Sequence, residues 1–554
     1  MNFRQRVRKC LFGLALLALL GGPQCTLAGG DAADEAMATI RPEALRGTMR
    51  FLADDLLEGR GTGTRGYELA AKFMASQFEN LGLQPAGDAG TYFQNVPLRS
   101  MQPDAGKTVL TLSRAGKEET LTFAKDYLTP GNAGCAESSV EAPVIFVGYG
   151  LTAPGQNYDD YQGIDAKGKI VAYMFGAPNF QSSLKAHYSS SVVKAKNAAD
   201  HGAVGLLLLD DPSLEKVYSF DKQARDLALP QFRWLDKQGN PSDYFPQIKG
   251  RAFLNLEATR QIFEGSGHTA EEAFAAIKAG KATSFALPVT VKIHNATKMH
   301  DTHSPNVVAK LEGSDPTLKN EYLVYSGHLD HLGIGATEAG DNIYNGALDN
   351  ASGSAVLIEL ARAFSRMNPR PKRSILFVSV TGEEVGLLGS DYFAHNPTVP
   401  KSSMVANLNT DEVLMLWPMQ DVIAFGAEHS SLLRVIQRAA ARLNVVESPD
   451  PLPEQVVFIR SDQYSFVKAG VPAAMPSPGF KSSDPNVRPM EIFETWEETR
   501  YHHPQDDMQQ PGLDFAAAAN YARFVFLCGY FITMDPLRPT WNKGDFFGDL
   551  YGAK

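Results

Sequence analysis

Tyr322-Leu323-Val324-Tyr325-Ser326-Gly327-His328-Leu329-Asp330-His331-Leu332-Gly333 joins an apolar run to a group of imidazole and carboxylate side chains. The run reads as a buried strand over 322–326, so His328 and Asp330 are expected where that strand ends and the backbone opens. His328 is the first candidate metal ligand.

Downstream, the pattern alternates: a helix over 352–367 with Ser352 near its cap, a strand over 374–380, a helix over 386–395 and a strand over 404–408. Such alternation predicts an α/β fold, a mainly parallel mixed sheet flanked by helices. Ligands bind such sheets beyond the carboxyl ends of the strands. The polar residues fall at those ends: His328 after one strand, Glu383 and Glu384 after the next, Asp411 after the third.

Asp349, in Ala347-Leu348-Asp349-Asn350-Ala351-Ser352-Gly353, precedes a helix and is either its N-cap or a ligand. Glu383 and Glu384 are more telling, because adjacent carboxylates at the end of an apolar strand are costly to bury without a cation. Neighbouring strand side chains diverge, so a bend at Gly382 and Gly386 lets one Glu face a metal and the other a different side of the same cleft. Asp411, and His502 in Tyr501-His502-His503-Pro504-Gln505-Asp506, are unremarkable alone. Two imidazoles and several carboxylates on one sheet edge suit zinc, with cobalt or manganese as substitutes, better than calcium. One metal needs fewer ligands than this; two metals sharing a bridging carboxylate would use them and activate a water for hydrolysis.

The set GHLDHLG, LDNASG, TGEE, NLNTDE and YHHPQD resembles the co-catalytic zinc aminopeptidases of peptidase family M28. Leu57-Glu58-Gly59-Arg60 and Gly82-Leu83-Gln84-Pro85 resemble the family's N-terminal region, and Gly168-Lys169-Ile170-Val171 with 194–205 resembles an inserted protease-associated domain. The resemblance implies a zinc-exopeptidase fold and two zinc ions per chain. It places His328 and Asp411 on one metal, Glu384 and His502 on the other, and Asp349 between them. Asp330 would orient His328, Glu383 would be the general base, and Tyr501 would stabilise the oxyanion. The implied substrates are peptides with a free N-terminus. The His-x-Pro-x-Asp spacing favours His502 over His503 as the ligand, and His331 is assigned to packing or a loop hydrogen bond. Asp462 either meets a substrate amine or forms a surface ion pair.

Working outward, residues 1–28 read as a secretory signal: Arg4, Arg6, Arg8 and Lys9, an apolar 11–20, and a small-residue cleavage site at Thr26-Leu27-Ala28. The apolar run is too short to span a bilayer. The expectation is an exported, periplasmic or extracellular protein with no stable membrane anchor after cleavage. Loss of the four leader cations takes the formal charge from −10 to −14, which disfavours nucleic acid and anionic membrane as partners. Cys135 and Cys528 remain, too few for a disulfide framework, with their pairing open.

The catalytic unit is expected over 29–137 and 287–540, with 138–286 inserted as a small α/β unit and 541–554 as a tail. Within the insert, His187 and His201 have no metal-ligand spacing and are assigned to packing or the surface. Gly61-Thr62-Gly63-Thr64-Arg65-Gly66 satisfies a dinucleotide-binding pattern but follows no buried strand, so it is a turn between helices. Three other readings remain: a carboxypeptidase or dipeptidase of this fold, a single-zinc glutaminyl cyclase, and a non-catalytic receptor-like protein. Oligomeric state is not legible in the sequence.

Overall fold

The computed structural model describes residues 32–552 apart from 228 and 282. The leader expected over 1–28, with Cys10 and Cys25, lies outside the described residues.

The body is an α/β layered structure around a large mixed sheet. In space its strands run Phe93–Pro103, the second half of Ser284–Leu311, Ser374–Val380, Tyr322–His328, Met404–Asn409, Ala473–Pro478 and Asp421–Phe425. The central four, Ser374–Val380 to Ala473–Pro478, are mutually parallel. Three of them are buried along their whole length and Tyr322–His328 at all but its first residue. Burial on both faces is why these segments read as nearly continuous apolar runs.

One face is covered by Pro42–Leu52, Arg65–Asn80, Gly353–Arg366 and Phe515–Met534, whose apolar sides share one core with the sheet. The other face is covered by Leu388–His395 and Gln463–Lys468. Phe515–Met534 is, among the described residues, the one helix long and apolar enough to cross a membrane, but 72% of its apolar window is buried inside the protein. Asp514 caps its start by accepting from the Ala516 and Ala517 amides. Arg373 closes its end with a 2.8 Å bond to the Ile532 carbonyl. The helix crosses so near the sheet that a Cβ at Gly529 would stand 1.7 Å from the Tyr325 hydroxyl, so only glycine fits.

A second sheet contains Val109–Arg114, Glu137–Val147, Ile170–Met174, Gly205–Leu209, Gly250–Leu254 and the first half of Ser284–Leu311. The 28-residue strand Ser284–Leu311 is thus a spine common to both sheets. The helix Ser182–Ser189 docks this second unit on the body, with His187 buried and its Nδ1 2.7 Å from the Tyr464 hydroxyl. His201 stacks on Tyr161. Cys135 and Cys528 are both free.

The glycine-rich segment is a turn over 61–64 that runs into the helix Arg65–Asn80, and Thr64 accepts from the Tyr67 amide at its start. Phe51, Leu52, Leu56 and Leu57 have the spacing of one amphipathic face, yet only Leu52 and Leu57 are buried, whereas Phe51 is 44% and Leu56 80% exposed. The helix stops at Leu52, and Asp54 caps a fresh turn, so the periodicity does not run through the break.

Arg60, wholly buried in a left-handed conformation, ties this turn to the site loops. Its guanidinium donates to the carbonyls of Leu329 (2.8 Å), Asn345 (2.6 Å), Gly346 (3.0 Å) and Leu52. Burial lowers its pKa to about 10, which still leaves it charged at neutral pH. Arg60→Met, which would strand those carbonyls, is expected to cost about 3–5 kcal/mol. A urea midpoint followed through the buried Trp417 is the readout; an unchanged midpoint would overturn this role.

Candidate functional site

Because the central strands are parallel, their carboxyl ends share one edge, and the loops beyond them converge. His328 is the last residue of its strand, Glu383 and Glu384 follow Ser374–Val380 after a left-handed Gly382, and Asp411 follows Met404–Asn409. His502 arrives from the loop before Phe515–Met534 with φ 59°.

Asp349 is not the helix cap. Its backbone is extended (φ −109°, ψ 93°), and Asn350 Oδ1 instead accepts from the Gly353 amide at 2.8 Å. Ser352 bonds back to the Leu348 carbonyl at 2.6 Å. The Asp349 carboxylate is therefore left for the cleft: Oδ1 lies 3.2 Å from His328 Nε2, and Oδ2 lies 3.3 Å from His502 Nε2. Asp411 Oδ1 lies 2.9 Å from the same His328 nitrogen, and Glu384 Oε2 lies 3.1 Å from the same His502 nitrogen. The two imidazoles thus head two half-sites, His328 with Asp411 and His502 with Glu384, and Asp349 spans them. Glu383 stands beside both, grouped with His328 and Glu384 within 4.8 Å.

These residues fit a bound metal ion on an observation independent of any family. His502 Nε2 is buried without a hydrogen-bond partner although two carboxylate oxygens stand within 3.3 Å of it. Lone pairs converging on a common point without properly directed protons are what a cation needs. Electrostatics agree. Burial raises Glu383 well above the usual carboxylate range, and the charges of Asp411 and Glu384 add to the rise against His328. Burial opposes the charge on Asp349, yet contacts with His328 and His502 hold it well below its usual value. Glu384 is likewise drawn to about 2, burial and Asp349 being outweighed by His502 and His331. Burial disfavours charged imidazoles, but the carboxylates win, raising His328 and taking His502 to about 10.

The surrounding residues hold these groups in place. His328 Nδ1 lies 3.0 Å from the backbone carbonyl of Asp330, whose carboxylate Oδ1 is 3.9 Å away. The expected orienting contact therefore comes from the main chain of Asp330. Its carboxylate accepts instead from the Glu383 amide (3.2 Å), the Glu384 amide (3.4 Å) and Thr62 Oγ1 (3.0 Å), fixing the Glu-Glu turn. Asp506 grips the Asp349 loop, accepting from the Leu348 and Asp349 amides at 3.0 Å. Its only sequence signal was its place four residues after His502.

His331 is drawn in further than expected: a bridge to Gly61 turns it inward, and its Nδ1 lies 2.5 Å from Glu384 Oε1. His503 turns away to Glu338. Asp462 is neither on the surface nor on the cleft wall; it is 0% exposed, and burial pushes its pKa to about 7. Tyr501 stacks on His502 at a centroid distance of 3.9 Å, and its hydroxyl oxygen accepts from Arg460 Nη2 at 3.0 Å. The cluster opens on a cavity of about 330 Å³ whose lining includes the apolar Leu414, Ile423, Phe425, Met475 and Phe493.

Residues 306–526 match the model of peptidase family M28. A probable glutamate carboxypeptidase of Arthroderma benhamiae is 24% identical over 474 residues, 76% of this chain and 60% of that protein. Leupeptin-inactivating enzyme 1 of Streptomyces exfoliatus is 36% identical over 109 residues, 20% of this chain and 22% of that protein. The chain thus spans less than two thirds of the length of either relative. Among solved structures, an aminopeptidase from Aneurinibacillus sp. strain AM-1 superposes with a TM-score of 0.52 at 19% identity, over 91% of this chain and 98% of that one, which establishes a common fold. The segment that matches, residues 306–526, contains every side chain of the two half-sites.

Proposed function

We propose that the chain is an exported metallo-aminopeptidase that binds two zinc ions and hydrolyses the N-terminal peptide bond of peptides. The observation that carries this reading is Asp349, one carboxylate oxygen facing His328 and the other facing His502. His328 and Asp411 would hold one ion, Glu384 and His502 the other, with Asp349 common to both; cobalt or manganese would substitute. When bound, such a pair supplies Lewis acidity to a scissile carbonyl and acidifies water.

The chain's own residues do the rest. Glu383 takes the proton of the attacking water and passes it to the leaving amine. The carboxylates around the cluster give a free α-amine an electrostatic partner, and the apolar lining takes an apolar N-terminal side chain. Burial raises the Tyr501 phenol well above its usual value, so it stays protonated and can donate to the developing oxyanion. In this reading the unit built on the second sheet is the protease-associated insert, standing beside the cleft.

The test is a leucyl p-nitroanilide assay with its N-acetylated counterpart, with and without chelator. Expected is hydrolysis of the free-amine substrate alone, abolished by chelation and restored by zinc, with about two metals per chain by elemental analysis. Equal cleavage of the acetylated compound would overturn the aminopeptidase reading. A single tightly held metal would favour a cyclase-type site, and no turnover in the metal-replete protein would favour a receptor.

A further inference from the structure

We infer that Arg460 receives the terminal carboxylate of the substrate, so that the favoured substrates are dipeptides with a free amine at one end and a free carboxylate at the other. This rests on the aminopeptidase reading and narrows it.

The cleft is a strongly acidic place with one exception. Among the described residues, Arg460 is the sole lysine or arginine on the wall of the cavity, whose other formally charged side chains include Glu383, Glu384, Asp411 and Glu412. Its side chain is exposed within that opening. Among the described residues its hydrogen bonds go to the Tyr501 hydroxyl at 3.0 Å and, more loosely, to the Gln455 carbonyl at 3.4 Å, and neither partner is a carboxylate. A guanidinium has five donors, so several remain for a ligand, in the fork geometry that pairs with a carboxylate. Positive charge gathers on this side: Lys222, from the helix Phe220–Leu227, stands 5.7 Å from the centroid of the Tyr501 ring.

The position sets the reach. The Tyr501 oxygen already accepts from Arg460, so its own hydrogen is left for the scissile carbonyl oxygen. That carbonyl then lies about one hydrogen bond, roughly 2.7–2.8 Å, beyond the hydroxyl. An extended residue spans about 3.3–3.6 Å, so the guanidinium lies within reach of the carboxylate of the residue just past the scissile bond. In a longer peptide the group at that point is a neutral amide, which a guanidinium holds less strongly than a carboxylate.

The experiment compares leucyl-alanine, leucyl-alanine amide and leucyl p-nitroanilide on the zinc-loaded full chain. Wild type is expected to favour the free dipeptide over its amide by about 10- to 100-fold in kcat/KM, mainly through KM. In Arg460→Gln that ratio is expected to fall to about one, the free dipeptide losing far more than the amide, while Arg460→Lys keeps part of it. Equal use of acid and amide by wild type would overturn the inference without any variant. So would an Arg460→Gln enzyme that loses both substrates alike, the mark of a residue that only positions Tyr501. Hydrolysis of the p-nitroanilide without a carboxylate preference would leave the aminopeptidase reading standing and this inference refuted. No turnover of any free-amine substrate would refute both.

Discussion

Glu383→Gln is expected to lower kcat by roughly a thousandfold while KM and metal content stay near wild type. Glu383 lies on the cavity wall beside the two half-sites, grouped with His328 and Glu384 within 4.8 Å. The closest imidazole contacts of the cluster go instead to Asp349, Asp411 and Glu384. Its amide is held by Asp330 at 3.2 Å, so its backbone is fixed and its carboxylate is left to the cleft. Glutamine keeps the size of the side chain and removes the proton acceptor, so the loss falls on turnover. Elemental analysis alongside steady-state kinetics separates the outcomes. A metal-replete variant within about tenfold of wild type would remove Glu383 from proton transfer, since a positioned base contributes at least 10²-fold.

The sheet edge that carries this chemistry was legible because parallel strands are buried on both faces. Ile375-Leu376-Phe377-Val378 and Tyr322-Leu323-Val324-Tyr325 stand out as apolar runs, and His328 and Glu383 lie at or just past the carboxyl ends of the strands that contain these runs. Once His328, Glu383 and Asp411 fall at such ends, topology brings them together. The spine Ser284–Leu311 was only partly legible: 289–293 reads as a strand, but Lys298 to Ser304 is polar and half exposed. Its pairing with Phe93–Pro103 is nearly two hundred residues distant in sequence, where local pattern carries no information.

The site divides in the same way. Side chains at strand ends were placed by the pattern and Asp349 and His502, on irregular backbone, by motif resemblance alone, whereas the contacts made by His331, Asp506 and Arg460 had no such signal. His331 owes its inward turn to Gly61, and Asp506 acts through amides of a loop 157 residues away. Arg460 sits beside Tyr501 only because two loops meet over the cleft. For Asp349 the sequence left cap and ligand equally open, and the decision came from the neighbouring side chain, Asn350, which takes the capping bond.

That division of labour gives the Asp349 prediction its force. Asp349→Ala removes a carboxylate from a crowded acidic cluster without uncapping Gly353–Arg366, because Asn350 continues to accept from the Gly353 amide. Asp506 holds the loop through amides, which alanine retains. The variant is therefore expected to fold with a urea midpoint close to wild type. Its metal content after dialysis should fall from about two per chain toward zero, because both half-sites lose the same ligand. Asp411→Ala and Glu384→Ala each strip one half-site and should retain about one metal. A common loss in one variant and single losses in the other two is a pattern that general destabilisation does not produce, since unfolding would empty both sites in all three. Activity should follow the metal, falling below even the Glu383→Gln level. Full occupancy in Asp349→Ala would mean that the two oxygens facing His328 and His502 share nothing, and the paired-metal reading of the cleft would fall with them.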